Sequence, residues 1–284
     1  MHERLAAPAK INLHLHILGL NAQGYHLLDT SFAFVDLCDW LEVNVSDDLS
    51  VTCSQAELSG KANLVYQVLE ALQQKHGVKQ GLSVHIEKHI PMQAGLGGGS
   101  SDAATALLAA NKFWQLHLSR QELIDFSAPF GADIPCFLFA HPSRATGVGE
   151  KLEKRQESLK NKEILLAKPA KGLSTQAVFA HFDQQQGLTN KNCIVKVRAP
   201  ESNCNYLGDN DLQNSACCLC SELEMLLFNM KQCCQHSWMS GSGSACVSMF
   251  DSKEKDVLVR SLSCMPSIWF NETKILECHP LINY

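Results

Sequence analysis

The stretch that decides the fold is a glycine-rich run at residues 91–102. It reads Pro91-Met92-Gln93-Ala94-Gly95-Leu96-Gly97-Gly98-Gly99-Ser100-Ser101-Asp102. Glycine loses more conformational freedom on folding than any other residue, so this density is expected where the backbone itself must approach a ligand. The amide groups and the dipole at the start of a helix favour an anion. The run therefore predicts a phosphate-binding loop. The alternative is a tight turn in which Ser101 or Asp102 caps the next helix.

The segments on either side of the run predict a strand and helices. Residues 82–86 alternate between apolar and polar side chains, as in a strand. Residues 103–116 contain no Gly or Pro and are apolar almost all round, as a buried helix is. Ser119 and Glu122 have the spacing of a capping box, which predicts that another helix starts there.

The N-terminal part predicts further strands and a helix. Residues 10–17 alternate with period two, which predicts a half-buried strand with Lys10 and Asn12 on one face. A loop is expected at residues 19–24 and a second strand at residues 41–45. Apolar residues with helical spacing then run from Leu64 to a stop near Gly77.

A charged segment at residues 150–163 predicts a solvated connection between two domains. We expect an N-terminal domain with a mixed sheet and helices at residues 1–155 and a C-terminal domain at residues 156–284. The predicted C-terminal elements are a strand at 164–167, helices at 174–182 and 212–230, strands near Trp238 and Val247, a helix at 253–263 and a strand at 274–278. This order indicates an α+β protein whose C-terminal domain is a ferredoxin-like α/β sandwich.

Composition narrows the class of protein. With 45% hydrophobic and 19% charged residues the chain can bury a globular core, and its net charge of -5 argues against nucleic-acid binding. The sequence contains no run of eighteen apolar residues, so no membrane span is predicted. Nothing in residues 1–4 resembles a secretory signal. The thirteen cysteines are odd in number and lack the paired spacing of a zinc site. We therefore expect reduced thiols, no metal site and a cytoplasmic protein.

Two other classes of phosphate-binding loop fit poorly. A P-loop requires a lysine directly after its glycines, and none follows this run. A dinucleotide-binding fold places its glycines after the first strand, with a carboxylate about twenty residues on. Residues 111–118 contain no carboxylate.

Five segments, in the same order along the chain, resemble motifs of the GHMP kinase superfamily. The glycine run resembles its second motif, in which the loop wraps the ATP phosphates. The double serine and the third consecutive glycine indicate the 4-diphosphocytidyl-2-C-methyl-D-erythritol kinase branch. The other four segments are residues 7–13, 24–26, 131–135 and 240–244, and residues 210–212 are also similar. The resemblance implies ATP-dependent phosphorylation of the 2-hydroxyl of that cytidine compound, in non-mevalonate isoprenoid precursor biosynthesis.

The resemblance also implies roles for single residues on the ATP side. Asp133 would be the general base, and Lys10 would keep it ionised and stabilise the transferred phosphoryl group. ATP would contact residues 91–101, Asn63 and Lys88. Asn63 could equally be a helix cap, and Lys88 a solvated charge. Magnesium would be held by phosphates and waters, with Ser101 as a possible ligand, because no acidic cluster resembles a dedicated site.

On the substrate side, the resemblance implies a pocket for a cytidine diphosphate sugar alcohol. Tyr25 and His26 would read the cytosine, by stacking and by pairing with its edge, and Phe179 would stack on the other side. A helical Phe more often belongs to a core. Asn12 would hydrogen-bond the polyol or a phosphate.

Two further functions stay open from the sequence. Another GHMP kinase acting on a polyol, homoserine or mevalonate should lack Gly24, Tyr25 and His26. A non-catalytic nucleotide or metabolite sensor should have lost Lys10 or Asp133. A monomer or weak homodimer is expected.

Overall fold

The computed structural model describes residues 2–156, 158–188 and 207–284. These ranges form two sheets with helices packed on them, which confirms the predicted α+β class. No helix in the described ranges is long and apolar enough to cross a membrane.

The first sheet is built around one long strand. In the described residues its strands are β1 (His2–Leu20), β2 (His26–Ser46), β3 (Ser50–Cys53), β4 (Gly81–Glu87), β5 (Ser143–Gly147) and β6 (Lys151–Lys154). The order is β3-β4-β2-β5-β6, and β1 pairs along β2. Only the β3–β4 pair is parallel among these. The predicted loop at residues 19–24 starts later than expected, because β1 continues to Leu20.

Helices cover this sheet: α1 (Leu64–His76), α2 (Gly98–Phe113), α3 (Arg120–Ser127) and α4 (Ile134–Phe139). In α1 the buried residues recur with the spacing of one helical face, and the helix ends at Gly77 with a φ of 64°. A capping box between Ser119 and Glu122 opens α3. Both predictions are confirmed.

Helix α2 begins earlier than predicted. It starts at Gly98, inside the glycine run, because Gly97 adopts a φ of 71° and serves as the N-cap. The alternative in which Ser101 or Asp102 caps the helix is therefore wrong. Three glycines of the run thus lie at the helix N-terminus, where their amide groups are free to bind an anion.

Strand β1 is buried on both faces, so the prediction of a half-buried strand was wrong. Ile11 and Leu13 pack in a cluster with Ile164 and Trp238 of the second half. Lys10, on the other face, is 3% exposed. The alternation did not mark a solvent face, because Lys10 and Asn12 are buried and hydrogen-bond each other.

The second sheet has the predicted ferredoxin-like topology. Its strands are β7 (Glu163–Pro169), β8 (Ser237–Met239), β9 (Cys246–Met249) and β10 (Ile268–Lys274). Its described helices are α5 (Thr175–Gln186), α6 (Gln213–Leu219), α7 (Ser221–Cys233) and α8 (Ser252–Ser263). The antiparallel order β10-β7-β9-β8 places the fourth strand beside the first, as in a ferredoxin-like sandwich.

Two C-terminal predictions were wrong. The helix expected at 212–230 is two helices, because Cys220 between them is extended, with a φ of -147°. The last strand ends at Lys274 rather than beginning there. From Ile275 the chain leaves the second sheet and bridges to Val35 of the first. Strand β6 ends at Lys154 and β7 begins at Glu163, and the domain division at 155/156 stays a prediction.

Candidate active site

The glycine loop lines a cavity of about 500 Å³ at the N-terminus of α2. All the predicted loop residues from Pro91 to Ser100 line it, and so do Asn63 and Lys88. Ser101 differs: it is fully buried, and its hydroxyl has no hydrogen-bond partner among the described residues. Asp133 and Thr175 also line the cavity, which brings together residues from both halves of the chain.

Glycine is required at two positions because the loop lies against other backbone and side chains. A Cβ on Gly97 would lie 2.9 Å from Cζ of Phe137 and 3.1 Å from Cγ of Lys10. A Cβ on Gly95 would lie only 2.4 Å from the carbonyl oxygen of Ser240. Both glycines also have positive φ, 72° for Gly95 and 71° for Gly97. The loop can therefore approach Lys10 and the second half of the chain only as glycine.

The segment 240–244 supports the loop from the second half. The amide of Ala245 donates to the carbonyl of Ala94 at 3.0 Å, and that of Ser244 donates to the carbonyl of Gln93 at 3.3 Å. The Ser240 hydroxyl donates to the carbonyl of Gly95 at 3.3 Å. These hydrogen bonds hold the phosphate loop against the ferredoxin-like half.

Lys10 approaches Asp133, which lines the cavity, although Lys10 itself is not among the lining residues. The Nζ of Lys10 lies 3.5 Å from Oδ2 of Asp133, with the lysine side chain 4% exposed and the carboxylate 37% exposed. A buried cation needs compensation, and Lys10 also donates to Oδ1 of Asn12 at 2.7 Å and lies 5.1 Å above the Phe32 ring. Asp133 occupies the N-cap position of α4, but its side chain makes no cap hydrogen bond. Its carboxylate therefore lines the cavity without capping the helix.

Both the oxygen and the nitrogen of the Asn12 side-chain amide form hydrogen bonds. Its Oδ1 accepts from Lys10, and its Nδ2 donates to Oγ1 of Thr30 at 2.8 Å. Thr30 in turn donates to the carbonyl of His14. Asn12 is 2% exposed, so in this structure it orients the lysine. The prediction that it contacts substrate stays a prediction.

The aromatic residues predicted to contact the cytosine form a second group. The rings of His26 and Phe179 lie 4.6 Å apart, tilted by 46°. Tyr25 is 64% exposed on a turn that the Asn21 side chain fixes by accepting from the amides of Gln23 and Tyr25. None of these three aromatic residues lines the glycine-loop cavity. Phe179 is half-buried and packs at the edge of a core cluster, so the core alternative is partly right.

Helix α5 connects the two groups. Thr175 at its N-terminus lines the cavity and lies 2.8 Å from the Ser242 hydroxyl, and Phe179 is one helical turn further on. No local pattern singles out Thr175 as a site residue. A residue of this kind is recognisable only once the two halves are brought together.

Lys88 is not a solvated charge, and that alternative was wrong. Its side chain is 6% exposed, and its ammonium lies between the carboxylates of Asp39 and Asp102, 2.7 Å from Oδ2 of the latter. Burial raises the pKa of Asp102 well above its usual range; Lys88 opposes the rise and Asp39 adds to it. Asp39 also accepts from the amides of His89 and Ile90, so the cluster fixes the entry to the glycine loop. Sequence reasoning connected neither carboxylate with Lys88, because Asp39 lies 49 residues away and Asp102 was considered only as a helix cap.

Asn63 is a helix cap as well as a cavity residue. Its Oδ1 accepts from the amide of Val65 at 2.8 Å and its Nδ2 donates to the carbonyl of Leu58 at 2.7 Å. The cap alternative is therefore confirmed, and an ATP contact stays a prediction.

The fold and the cavity together define a GHMP kinase. The family described as GHMP kinases N terminal domain matches residues 63–141, which contain both the glycine loop and Asp133. The crystal structure of the mevalonate kinase from Methanococcus jannaschii shares the fold, with a TM-score of 0.68 at 12% identity over 97% of this chain and 98% of that one.

Closer relatives define the branch. The 4-diphosphocytidyl-2-C-methyl-D-erythritol kinase of Nitrosococcus oceani is 38% identical over 282 residues, which cover 96% of this chain and 96% of the relative. A crystal structure of 4-(cytidine 5'-diphospho)-2C-methyl-D-erythritol kinase has a TM-score of 0.76 at 28% identity, over 96% of this chain and 99% of that one. The chain belongs to the 4-diphosphocytidyl-2-C-methyl-D-erythritol kinase family, which confirms the predicted family and the kinase class.

Proposed function

We propose that the chain transfers the γ-phosphoryl group of ATP to the 2-hydroxyl of 4-diphosphocytidyl-2-C-methyl-D-erythritol, a step of non-mevalonate isoprenoid precursor biosynthesis. The observation that carries the proposal is the approach of Lys10 to within 3.5 Å of Asp133 at the edge of the glycine-loop cavity. A nucleotide sensor would need the loop but not this pair. The pair therefore favours catalysis over binding alone.

Asp133 acts on the acceptor hydroxyl. As the hydroxyl oxygen forms its bond to the γ-phosphorus, its proton passes to the Asp133 carboxylate, and the bond from phosphorus to the β,γ-bridging oxygen breaks to release ADP. The Lys10 ammonium stabilises the negative charge that develops on the transferred group. Its burial strengthens this interaction, since water does not screen it.

The glycine loop holds the ATP phosphates. Free amides at the start of α2 and the helix dipole favour the polyphosphate there. Among the described residues no group of three His, Cys, Asp or Glu side chains could hold a metal ion. Mg²⁺ would be held by the ATP phosphates and by waters, where it would neutralise phosphate charge; Ser100 lines the cavity, whereas Ser101 is fully buried.

The aromatic residues bind the cytosine of the substrate that accepts the phosphoryl group. Tyr25 offers an exposed aromatic face, and Phe179 and His26 are already in contact on α5 and β2. Stacking of this kind binds any pyrimidine, so the polar edge of His26 supplies the recognition. Because the donor is ATP, we place the reaction in the cytoplasm. The expected monomer or weak homodimer stays a prediction.

ATP consumption by the purified protein tests the proposal. The cytidine compound is offered beside mevalonate, homoserine and galactose, and the phosphorylated product is identified by ³¹P NMR. We expect turnover with the cytidine compound alone. Turnover with a different alcohol would keep the transfer chemistry and overturn the acceptor, and no turnover with any of them would favour the sensor.

A further inference from the structure

Helix α5 holds His26 by two contacts from one face. Asp183 lies one turn after Phe179, and its Oδ1 is 2.7 Å from Nε2 of His26. The Phe179 ring packs on the same imidazole. The histidine and aspartate side chains are 18% and 27% exposed, so the hydrogen bond is partly shielded from water. The stack fixes where the ring lies, and the carboxylate fixes how it is turned.

The carboxylate also determines which ring nitrogen carries the proton. An ionised carboxylate only accepts hydrogen bonds, so neutral His26 places its proton on Nε2 and leaves Nδ1 as an acceptor. No group in the described part of the chain forms a hydrogen bond with Nδ1. Asp183 thus occupies one end of the ring, and in the neutral ring the other end, Nδ1, is an acceptor.

We propose that Asp183 is a positioning residue that makes the site select cytosine over uracil, by keeping Nδ1 of His26 an acceptor. The proposal rests on the assignment of His26 to the base under the proposed function. Cytosine carries an exocyclic amine, a donor, where uracil carries the O4 acceptor. With cytosine bound, the Nδ1 acceptor receives a hydrogen bond from the exocyclic amine. With uracil bound, it faces the O4 acceptor, and neither atom has a hydrogen to donate. A site that leaves two acceptors facing each other rejects the wrong base more strongly than one that lacks a contact.

Asp183→Asn tests the proposal with little change of shape. The asparagine can present either its carbonyl or its amide to Nε2, so the proton on His26 is no longer confined to that nitrogen. The kinetic constants are measured with the cytidine compound and with its uridine analogue. We expect KM for the cytidine compound to rise about tenfold, more than kcat falls, and the cytosine-to-uracil ratio of kcat/KM to fall about tenfold.

Tyr25→Leu is the control, because it removes a stacking ring that has no contact with the His26 imidazole. Stacking does not read the edge of a base, so this variant should raise KM for both substrates by similar factors and leave their ratio unchanged. A second readout needs no turnover: ¹⁵N chemical shifts show which ring nitrogen of His26 carries the proton, with the signal assigned through His26→Gln. Wild type should carry it on Nε2, and Asp183→Asn should lower that population.

The outcomes separate this proposal from the one it rests on. If wild type phosphorylates the cytidine compound and Asp183→Asn keeps the cytosine-to-uracil ratio, the role of Asp183 is refuted and the proposed function stands. A lower melting temperature with an unchanged ratio would make Asp183 a structural residue only. If wild type turns over neither substrate, both proposals are overturned.

Discussion

Gly95→Ala is predicted to destabilise the protein by separating the glycine loop from the second half of the chain. Gly95 has a φ of 72°, and its added Cβ would lie 2.4 Å from the carbonyl oxygen of Ser240 and 3.1 Å from the amide nitrogen of Gly243. Both contacts are to backbone, which cannot rotate away as a flexible side chain would. The 240–244 segment must therefore move.

The structure sets the size of the effect. The left-handed conformation costs alanine about 1–2 kcal/mol. Displacing the segment also weakens the hydrogen bonds from Ser244 to Gln93 and from Ala245 to Ala94, at about 1 kcal/mol each. We expect a loss of about 3–4 kcal/mol in the free energy of unfolding, which is a large part of the stability of an ordinary domain.

Gly99→Ala is the matched control in the same run. Gly99 lies in α2, and a Cβ there would meet nothing within 4 Å. Alanine is the better helix former, so this variant should gain about 0.5–1 kcal/mol. Urea denaturation followed by circular dichroism gives both values. If the two variants differ by less than about 1 kcal/mol, the close packing of the loop on Ser240 is not what requires glycine.

Three shorter predictions concern other parts of the molecule. Burial raises the folded-state pKa of Asp102 to about 8, so the contribution of Asp102 to the free energy of unfolding should fall as pH rises from about 4 to 8. Asp102→Asn lacks this dependence; its free energy of unfolding relative to wild type should increase from pH 5 to pH 8, and a decrease would show that Asp102 is ionised. Tyr25→Ala should raise KM for the cytidine compound about tenfold and change kcat less, because a stacked base contributes about 1–3 kcal/mol; a loss in kcat alone would exclude stacking. Arg120→Met should cost about 2–4 kcal/mol in urea denaturation, since it leaves three backbone carbonyls without their donor, and a loss under 1 kcal/mol would show that water replaces it.

Local patterns were enough to predict the elements whose signals lie within one turn or one strand. The cap and stop of α1, the capping box of α3 and the alternation in β4 depend on neighbouring residues and were placed correctly. The break at Cys220 was missed because no Gly or Pro marks it. The start of α2 was placed too late because Gly97 supplies a cap without a polar side chain.

Site residues that belong to a sequence motif could be predicted. Site residues that meet only through tertiary packing could not. Lys10 and Asp133 were chosen by resemblance, and the structure brings them together from positions more than a hundred residues apart. The burial of Lys88 depends on Asp39 and Asp102, which no local pattern connects with it. The sequence analysis did not single out Asp183, which follows the helix predicted at 174–182, and only the fold shows that it meets His26.

The central claim is that Asp133 takes the proton during transfer while the glycine loop binds ATP independently of it. Asp133→Asn removes the base and keeps the shape, and its ATP affinity is measured beside the single-turnover rate with the cytidine compound. The account predicts an ATP Kd within about threefold of wild type and a transfer rate lower by about 10²–10⁴. A transfer rate equal to that of wild type would contradict it.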